Sequence, residues 1–356
     1  MNKVQWKEFW LSGIDGIFQL KATSSGIDGN KLTVSEIQTV PYISRSDSSN
    51  GIKSFVSRNQ QKKYKLDSGN CITIGLDTQT VFYQPHSFFT GQNIQVLRNE
   101  ELTENVALFL VESIRKQMDK FNWGGNGATL GRLSRIKIML PIDKSGNPDF
   151  IYMDSTIKEL KKSKLGEYRK YIRKELSKIQ YVDIPSLEEK KWSPFSISAV
   201  FKIESGCDIY DNERKEGNVP YITSTSENNG IKFFVSNMNS TYEANVIAVN
   251  RNGSVGYAFF HKYPALFSND CRKLKMIACS RNNEAVSLFM TTQIMQQKEK
   301  YNYSLKMGSK RLSKQKIMLP VDSNGNPDYP YMEQYIKNIF CKKYKAYLEF
   351  KEKNNA

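Results

Sequence analysis

Histidine is the scarcest chemically useful residue in this chain. Only His86 and His261 occur among 356 residues, which argues against a zinc site. The five cysteines (71, 207, 271, 279 and 341) are odd in number and form no Cys-x-x-Cys pair. They read as reduced thiols rather than a disulfide framework. No apolar run approaches the roughly 18 residues of a membrane span, and Met1-Asn-Lys-Val-Gln-Trp-Lys-Glu8 lacks the apolar core of an export signal. The expectation is a soluble, cytoplasmic protein without membrane contact. Gly124-Gly-Asn-Gly-Ala-Thr-Leu-Gly131 is rich in glycine but lacks the closing Gly-Lys-Ser/Thr of a phosphate-binding P-loop. Acids are also in deficit. Lysine and arginine exceed them by 52 − 36 = 16, an excess that points to a polyanionic partner, above all nucleic acid.

The chain uses its sequence twice. Ile138-Met-Leu-Pro-Ile-Asp-Lys-Ser-Gly-Asn-Pro-Asp-Phe-Ile-Tyr-Met153 returns as Ile317-Met-Leu-Pro-Val-Asp-Ser-Asn-Gly-Asn-Pro-Asp-Tyr-Pro-Tyr-Met332, an offset of 317 − 138 = 179. At the same offset Val40-Pro-Tyr-Ile43, Asn50-Gly-Ile-Lys53 and Phe55-Val-Ser57 recur as Val219-Pro-Tyr-Ile222, Asn229-Gly-Ile-Lys232 and Phe234-Val-Ser236. A period this long lies far outside the roughly 20–50 residues of solenoid repeats, so each copy should carry its own core. Between these anchors the copies diverge. Gly69-Asn-Cys-Ile-Thr-Ile-Gly75 faces Ala244-Asn-Val-Ile-Ala-Val-Asn250, with extra residues around Arg251-Asn-Gly-Ser254. A shared scaffold with divergent centres suits one task performed on two targets.

Each copy opens on aromatics, Trp6 to Phe9 and Trp192 to Phe195, and the pairs Ile17-Phe18 and Val200-Phe201 are expected on a first strand. Short strands are predicted at Val40–Ile43 and Val219–Ile222. The Asn-Gly turns then lead into further strands. Cys71–Ile74 and Val246–Val249 read as buried strands, and Thr80–Tyr83 and Gly256–Phe260 as their neighbours. Helices are predicted from about Glu101 to Phe121 and Asn283 to Tyr301, with a flexible loop after the first. Long amphipathic helices follow from Met153 and from Met332, the second starting no earlier than Pro330. Their stripes place Ile157, Leu160, Tyr168 and Ile172 opposite Ile336, Ile339 and Tyr347. These seven are expected to form the seam of an antiparallel, coiled-coil-like pair. A helix of about 25 residues is roughly 37 Å long, enough for a spacer rod. The fold class is α+β: domains at 1–152 and 188–331, a helix and linker at 153–187, and a C-terminal helix at 332–356.

Two catalytic look-alikes occur. Asn147-Pro-Asp-Phe150 and Asn326-Pro-Asp-Tyr329 approach an amino-methyltransferase motif, but with aspartate at the third position and no cofactor-binding glycine turn. Asp149 with Glu159 and Lys161 mimics a Mg²⁺ nuclease set, which the second copy does not repeat. Turn chemistry explains the first better. Side chains two apart on a helix point away from each other, which disfavours the second.

The DNA-contact candidates cluster in the divergent centres and their turns. In the first copy they are Arg45, Asn50, Lys53, Arg58, Lys62, Lys63, Arg98, Asn126, Arg132 and Arg135. In the second they are Asn229, Lys232, Arg251, Asn252, Arg272, Lys306, Lys310, Arg311 and Lys314. Lysine and arginine anchor phosphates, while arginine reads guanine edges and asparagine reads adenine edges.

Taken together, the aromatic opening, the Pro-Tyr-Ile strand with its Asn-Gly turn, the variable centre, the Leu-Pro segment and the long helix, all repeated, resemble the specificity subunits of restriction–modification systems. The Ile-Met-Leu-Pro-Val-Asp-x-x-Gly-Asn-Pro-Asp-x-x-Tyr-Met phrase and Arg251-Asn-Gly-Ser-Val-Gly256 look most like the BcgI-like, type IIB branch. The first copy departs from the latter with Gly75-Leu-Asp-Thr-Gln-Thr80. The resemblance covers the whole chain. It implies two target-recognition domains, each followed by a helix, that read the halves of a bipartite asymmetric site on double-stranded DNA. It also implies no catalytic residues and no cofactor here, and a partner adenine methyltransferase using S-adenosylmethionine. A nuclease with Mg²⁺ would sit in that partner or in a third chain. A stand-alone DNA-binding regulator or decoy, and a nuclease using its own acids, remain the alternatives.

Overall fold

A computed structural model describes residues 4–33, 35–122, 125–278, 283–302 and 304–353. It divides into two compact units, Met1–Tyr168 and Arg169–Ala356. No helix among the described residues is long and apolar enough to cross a membrane.

In the first unit, strands β1 (Trp6–Ser12), β2 (Gly16–Ala22), β5 (Cys71–Gly75), β6 (Val81–Gln84), β8 (Ile94–Arg98) and β9 (Lys137–Pro141) form one sheet. Their order is β6-β5-β8-β2-β1-β9. A smaller sheet, β4-β3-β7, joins β3 (Val40–Ile43), β4 (Ile52–Val56) and β7 (Phe89–Thr90). Helix α1 (Glu104–Met118) lays Val106, Leu110, Val111 and Ile114 onto the large sheet, where they meet Leu11, Phe18, Ile72, Leu97 and Ile138. It starts later than its periodicity suggested, because Thr103 caps it by accepting from the Val106 amide at 3.2 Å, and it ends at Met118, short of the expected Phe121. A short α2 (Leu130–Leu133) follows in what reads as loop sequence.

The aromatic opening is itself the first strand, a correction to the placement of Ile17-Phe18, which lie on β2. β1 runs antiparallel to β9, with Phe9 opposite Ile138. The repeated Leu-Pro segment thus closes the sheet onto the start of its own copy. Period-two alternation explains it: Leu11, Ile138 and Leu140 are fully buried, while Trp10 and Met139 face outward.

The second unit repeats this plan through β10 (Trp192–Ser196), α4 (Ile197–Val200), β11 (Phe201–Ser205), β12 (Glu216–Ile222), β13 (Ile231–Val235), β14 (Val246–Asn250), β15 (Ala258–His261), β16 (Leu266–Phe267), β17 (Cys271–Met276), α5 (Glu284–Met295), α6 (Ser309–Lys314) and β18 (Lys316–Pro320). One difference is topological. The large sheet of the first unit is here split into β10-β18 and β11-β17-β14-β15. The turn α4 occupies the place where β1 and β2 pair in the first unit, so Val200 ends a helix and Phe201 begins β11. Asn283 caps α5 at the Val286 amide (3.0 Å), and α5 ends at Met295, short of the expected Tyr301.

The long helices are α3 (Phe150–Leu176), which crosses from one unit into the other, and α7 (Tyr329–Lys353). α7 begins one residue before Pro330, in the first turn where a missing N–H costs nothing. The residues expected along the seam differ in burial. Ile172 is fully buried, and Ile157, Ile336 and Tyr347 are half-buried. Leu160 and Tyr168, at 52% and 46% exposure, and Ile339, at 36%, lie on exposed faces. Lysine, glutamate and arginine make up 11 of the 27 residues of α3, so much of its surface is charged. The linker is held to the start of α7. Asn338 of α7 accepts from the Val182 amide (3.1 Å) and donates to its carbonyl (2.7 Å). Gln334 donates to the Gln180 carbonyl, and Tyr331 to that of Pro185.

Candidate nucleic-acid interface

The Asn-Gly turns are tight reversals between β3 and β4 and between β12 and β13. Asn50 and Asn229 adopt left-handed φ values of 57° and 56°, and each is followed by a left-handed glycine. Asparagine is one of the few non-glycine residues that visit this conformation. Here each side chain bonds across to a later segment of its own unit: Asn50 donates to the Tyr83 carbonyl at 2.9 Å, and Asn229 donates to the Tyr263 hydroxyl at 3.2 Å. Both candidates are therefore bound within their own domain.

Several candidate arginines are also engaged internally. Arg98 donates to the carbonyls of Gly69 and Ser68 (3.0 and 2.6 Å). Arg272, only 6% exposed, holds the carbonyls of Asn269 and Cys271 and the Ser309 hydroxyl. Burial, with Arg251 nearby, pushes its pKa down. Arg132 donates to Gly127 and Gly125, and Arg311 to Lys306. Asn126 donates to the Lys120 carbonyl at 2.7 Å. These side chains shape loops.

The remaining candidates divide in two. Lys53, Arg58, Lys62, Lys63, Arg135, Lys232 and Lys306, on strands and turns, and Lys310 and Lys314, on α6, are exposed, where phosphate contact requires them. Arg45 and Arg251 are instead paired with carboxylates, Arg45 with Asp77 and Arg251 with Asp270 at 3.3 Å. Asn252 donates to the same Asp270 oxygen at 3.2 Å. An open cleft of about 830 Å³ lies beside Arg45, walled by Ser44, Ser46, Ser48, Ser49 and Thr78. Reading the sequence for charge missed those hydroxyls and both aspartates. The Ser-Arg-Ser-Asp-Ser-Ser run from 44 to 49 was the available signal.

The catalytic look-alikes are capped turns. Asp143 accepts from the Ser145 and Asn147 amides, and Asp322 from those of Asn324 and Asn326. Asp149 caps α3 at the Tyr152 amide, and Asp328 caps α7 at Tyr331 while pairing with Lys190 at 2.7 Å. Lys161 turns away to Glu104 and Asn105. Burial pushes the Cys71 and Cys271 thiols up to about 12, so neither supplies a thiolate nucleophile.

Comparison with known proteins brings in the family. Residues 4–170 and 189–349 each match the type I restriction modification DNA specificity domain. The chain is 35% identical over 341 residues, 95% of both proteins, to the type II restriction enzyme BgcI specificity subunit S.BcgI of Heyndrickxia coagulans. Among solved structures, the type I restriction–modification S subunit from M. genitalium aligns with 98% of this chain and 92% of its own, at 16% identity and a TM-score of 0.47. The HsdS subunit from Thermoanaerobacter tengcongensis aligns with 99% and 92%, at 12% identity and a TM-score of 0.32.

Proposed function

The chain belongs to the type I restriction modification DNA specificity domain family, and from that premise we propose how it works: each unit reads one half of a bipartite, asymmetric DNA site. It is the specificity subunit of a restriction–modification system, with two tandem recognition domains. The observation that carries the bipartite reading is the duplication itself. The scaffold recurs at an offset of 179 residues while the centres diverge, and each copy folds around its own core. Exposed lysines and arginines anchor phosphates and set register. A few side chains in each divergent centre specify bases.

Chemistry belongs to partners in this reading. An adenine methyltransferase would bring S-adenosylmethionine, and a nuclease in the same partner or another chain would bring Mg²⁺. The acids of the look-alike motifs in this chain serve turns and helix caps. The long helices act as the spacer between half-sites. Support comes from the burial of Ile172 and from the clamp of Asn338 on the linker backbone. The complex acts in the cytoplasm, on the DNA there.

The test is to express this chain with its methyltransferase partner and profile adenine methylation genome-wide. The reading expects one bipartite motif with two unlike halves. A continuous motif, or methylation unchanged when this chain is omitted, would overturn it.

A further inference from the structure

The two units fill the same place differently. In the first, the connection from β3 to β4 and the turn from β5 to β6 leave the open cleft beside Arg45. In the second, the extra residues of the β14–β15 turn dock onto the β12–β13 connection. The Ser254 amide donates to the Ser224 carbonyl at 3.0 Å. Gly253, at φ +61°, approaches so closely that a Cβ there would come within 2.7 Å of the Ser224 hydroxyl. Ser224 is the residue that answers to Arg45 (45 + 179). The second unit has therefore lost the arginine at this position and gained one, Arg251, on the turn that docks there.

Each of these arginines is held by an aspartate, and by different means. Arg45 leaves β3 and meets Asp77 from the opposite turn. Arg251 sits on the turn itself and meets Asp270, whose carbonyl also accepts the Arg251 amide at 2.8 Å. Each unit thus places an arginine–aspartate pair beside one equivalent turn, with Asp77 on the β5–β6 turn and Arg251 on the β14–β15 turn, while the partners come from different places, Arg45 from the β3–β4 connection and Asp270 from the turn between β16 and β17.

A phosphate anchor would not be built this way. The carboxylate repels the phosphate that the guanidinium would attract, so the neutral pair gains little from the DNA backbone. A base edge behaves differently. A guanidinium fixed by one carboxylate keeps N–H groups for guanine O6 and N7, and the carboxylate can accept from the cytosine amine. Fixing the fork beforehand also lowers the ordering cost of binding. Resting on the recognition function proposed above, we infer that Arg45 and Arg251 are specificity-determining residues, each reading a G·C pair in its own half-site. Asp77 and Asp270 are the positioning residues that aim them.

The test is selection of bound sequences from a randomised duplex library by the full-length chain, with the methyltransferase partner present, followed by binding at several salt concentrations. Arg45→Ala should relax one G·C position of one half-site by roughly 10- to 100-fold. The other half-site should be unchanged, and Arg251→Ala should do the converse. Asp77→Asn should relax the same position as Arg45→Ala without altering thermal melting, which a merely structural role would not do. Salt slopes should stay constant throughout. Should Arg45→Ala fail to fold, Arg45→Lys keeps charge and stem but loses the fork, and should relax the same position. Retained G·C preference in folded variants overturns the assignment. So does uniform weakening on all sequences with a reduced salt slope, which would make Arg45 a phosphate anchor. A wild-type chain that selects no motif at all would instead sink the recognition function beneath it, and the assignment with it.

Discussion

Arg132 reaches back across the glycine-rich loop and donates to the carbonyl of Gly127 at 3.1 Å. At an offset of 179, Arg311 does the same to the carbonyl of Lys306, at 3.0 Å. The loops share little sequence, yet each is tied down by the arginine that follows it. These guanidiniums are loop clamps. Arg132→Ala should therefore cost about 1–2 kcal/mol of stability and speed proteolysis between Asp119 and Leu133. The slope of log affinity against log salt should stay fixed. A reduced slope at unchanged stability would make Arg132 a DNA contact instead.

Arg58 is the contrasting case, exposed just beyond β4. Arg58→Ala should weaken binding to all sequences alike and lower the salt slope by about one, as expected for one lost phosphate contact. Binding measured between 50 and 200 mM salt, the range over which counterion release is usually read, checks this. A change in the selected sequence at constant slope would contradict it.

The second unit should be the more acid-labile. Lys273, 3% exposed, pairs with Glu243 at 2.6 Å and Glu204 at 3.5 Å, and Lys275 bridges the same two acids. Glu204, bonded by Lys275, is held down to about 2, and Glu243 is also lowered. Burial of His261 lowers its pKa to about 4 from 6.5. All three groups bind protons more readily unfolded than folded. Their stabilisation is complete above the unfolded values and is lost as pH falls, from about 6.5 for His261 and about 4.5 for the glutamates. The first unit carries Gln84 at the register of His261. Urea melts of His261→Gln should accordingly be flatter between pH 6.5 and 4 than those of the wild type. Identical slopes would contradict this.

The helix faces predict a pair of opposite results. Ile172→Asp places a charge at a fully buried site and should cost about 3 kcal/mol or more. Leu160→Asp, on a half-exposed face, should stay within about 0.5 kcal/mol. Equal losses from thermal melting would mean that both residues are covered in solution.

Much of the architecture was legible because duplication supplies an internal comparison. The strands at Val40, Cys71 and Val246, both Asn-Gly reversals and both long helices follow from period and turn chemistry. What escaped needed tertiary information. The pairing of β1 with β9 joins residues from opposite ends of one copy, so no local pattern reveals it. The splitting of the second large sheet comes from Ile197–Val200, a stretch with the composition of a strand. At the interface, charge identified the cationic candidates, but not which of them are spent on carbonyls, as Arg98 and Arg272 are. The partners there are backbone atoms, which have no signature in sequence. Asp77 and Asp270 were missed because a search for DNA contacts looks for cations.

In the proposed function the two units read DNA independently. Exchanging the first divergent centre, about Ser57 to Arg132, for that of a relative and mapping methylation with the partner methyltransferase tests it most directly. One half-site should change while the other half-site and the spacer survive. A motif in which both halves change together would contradict it.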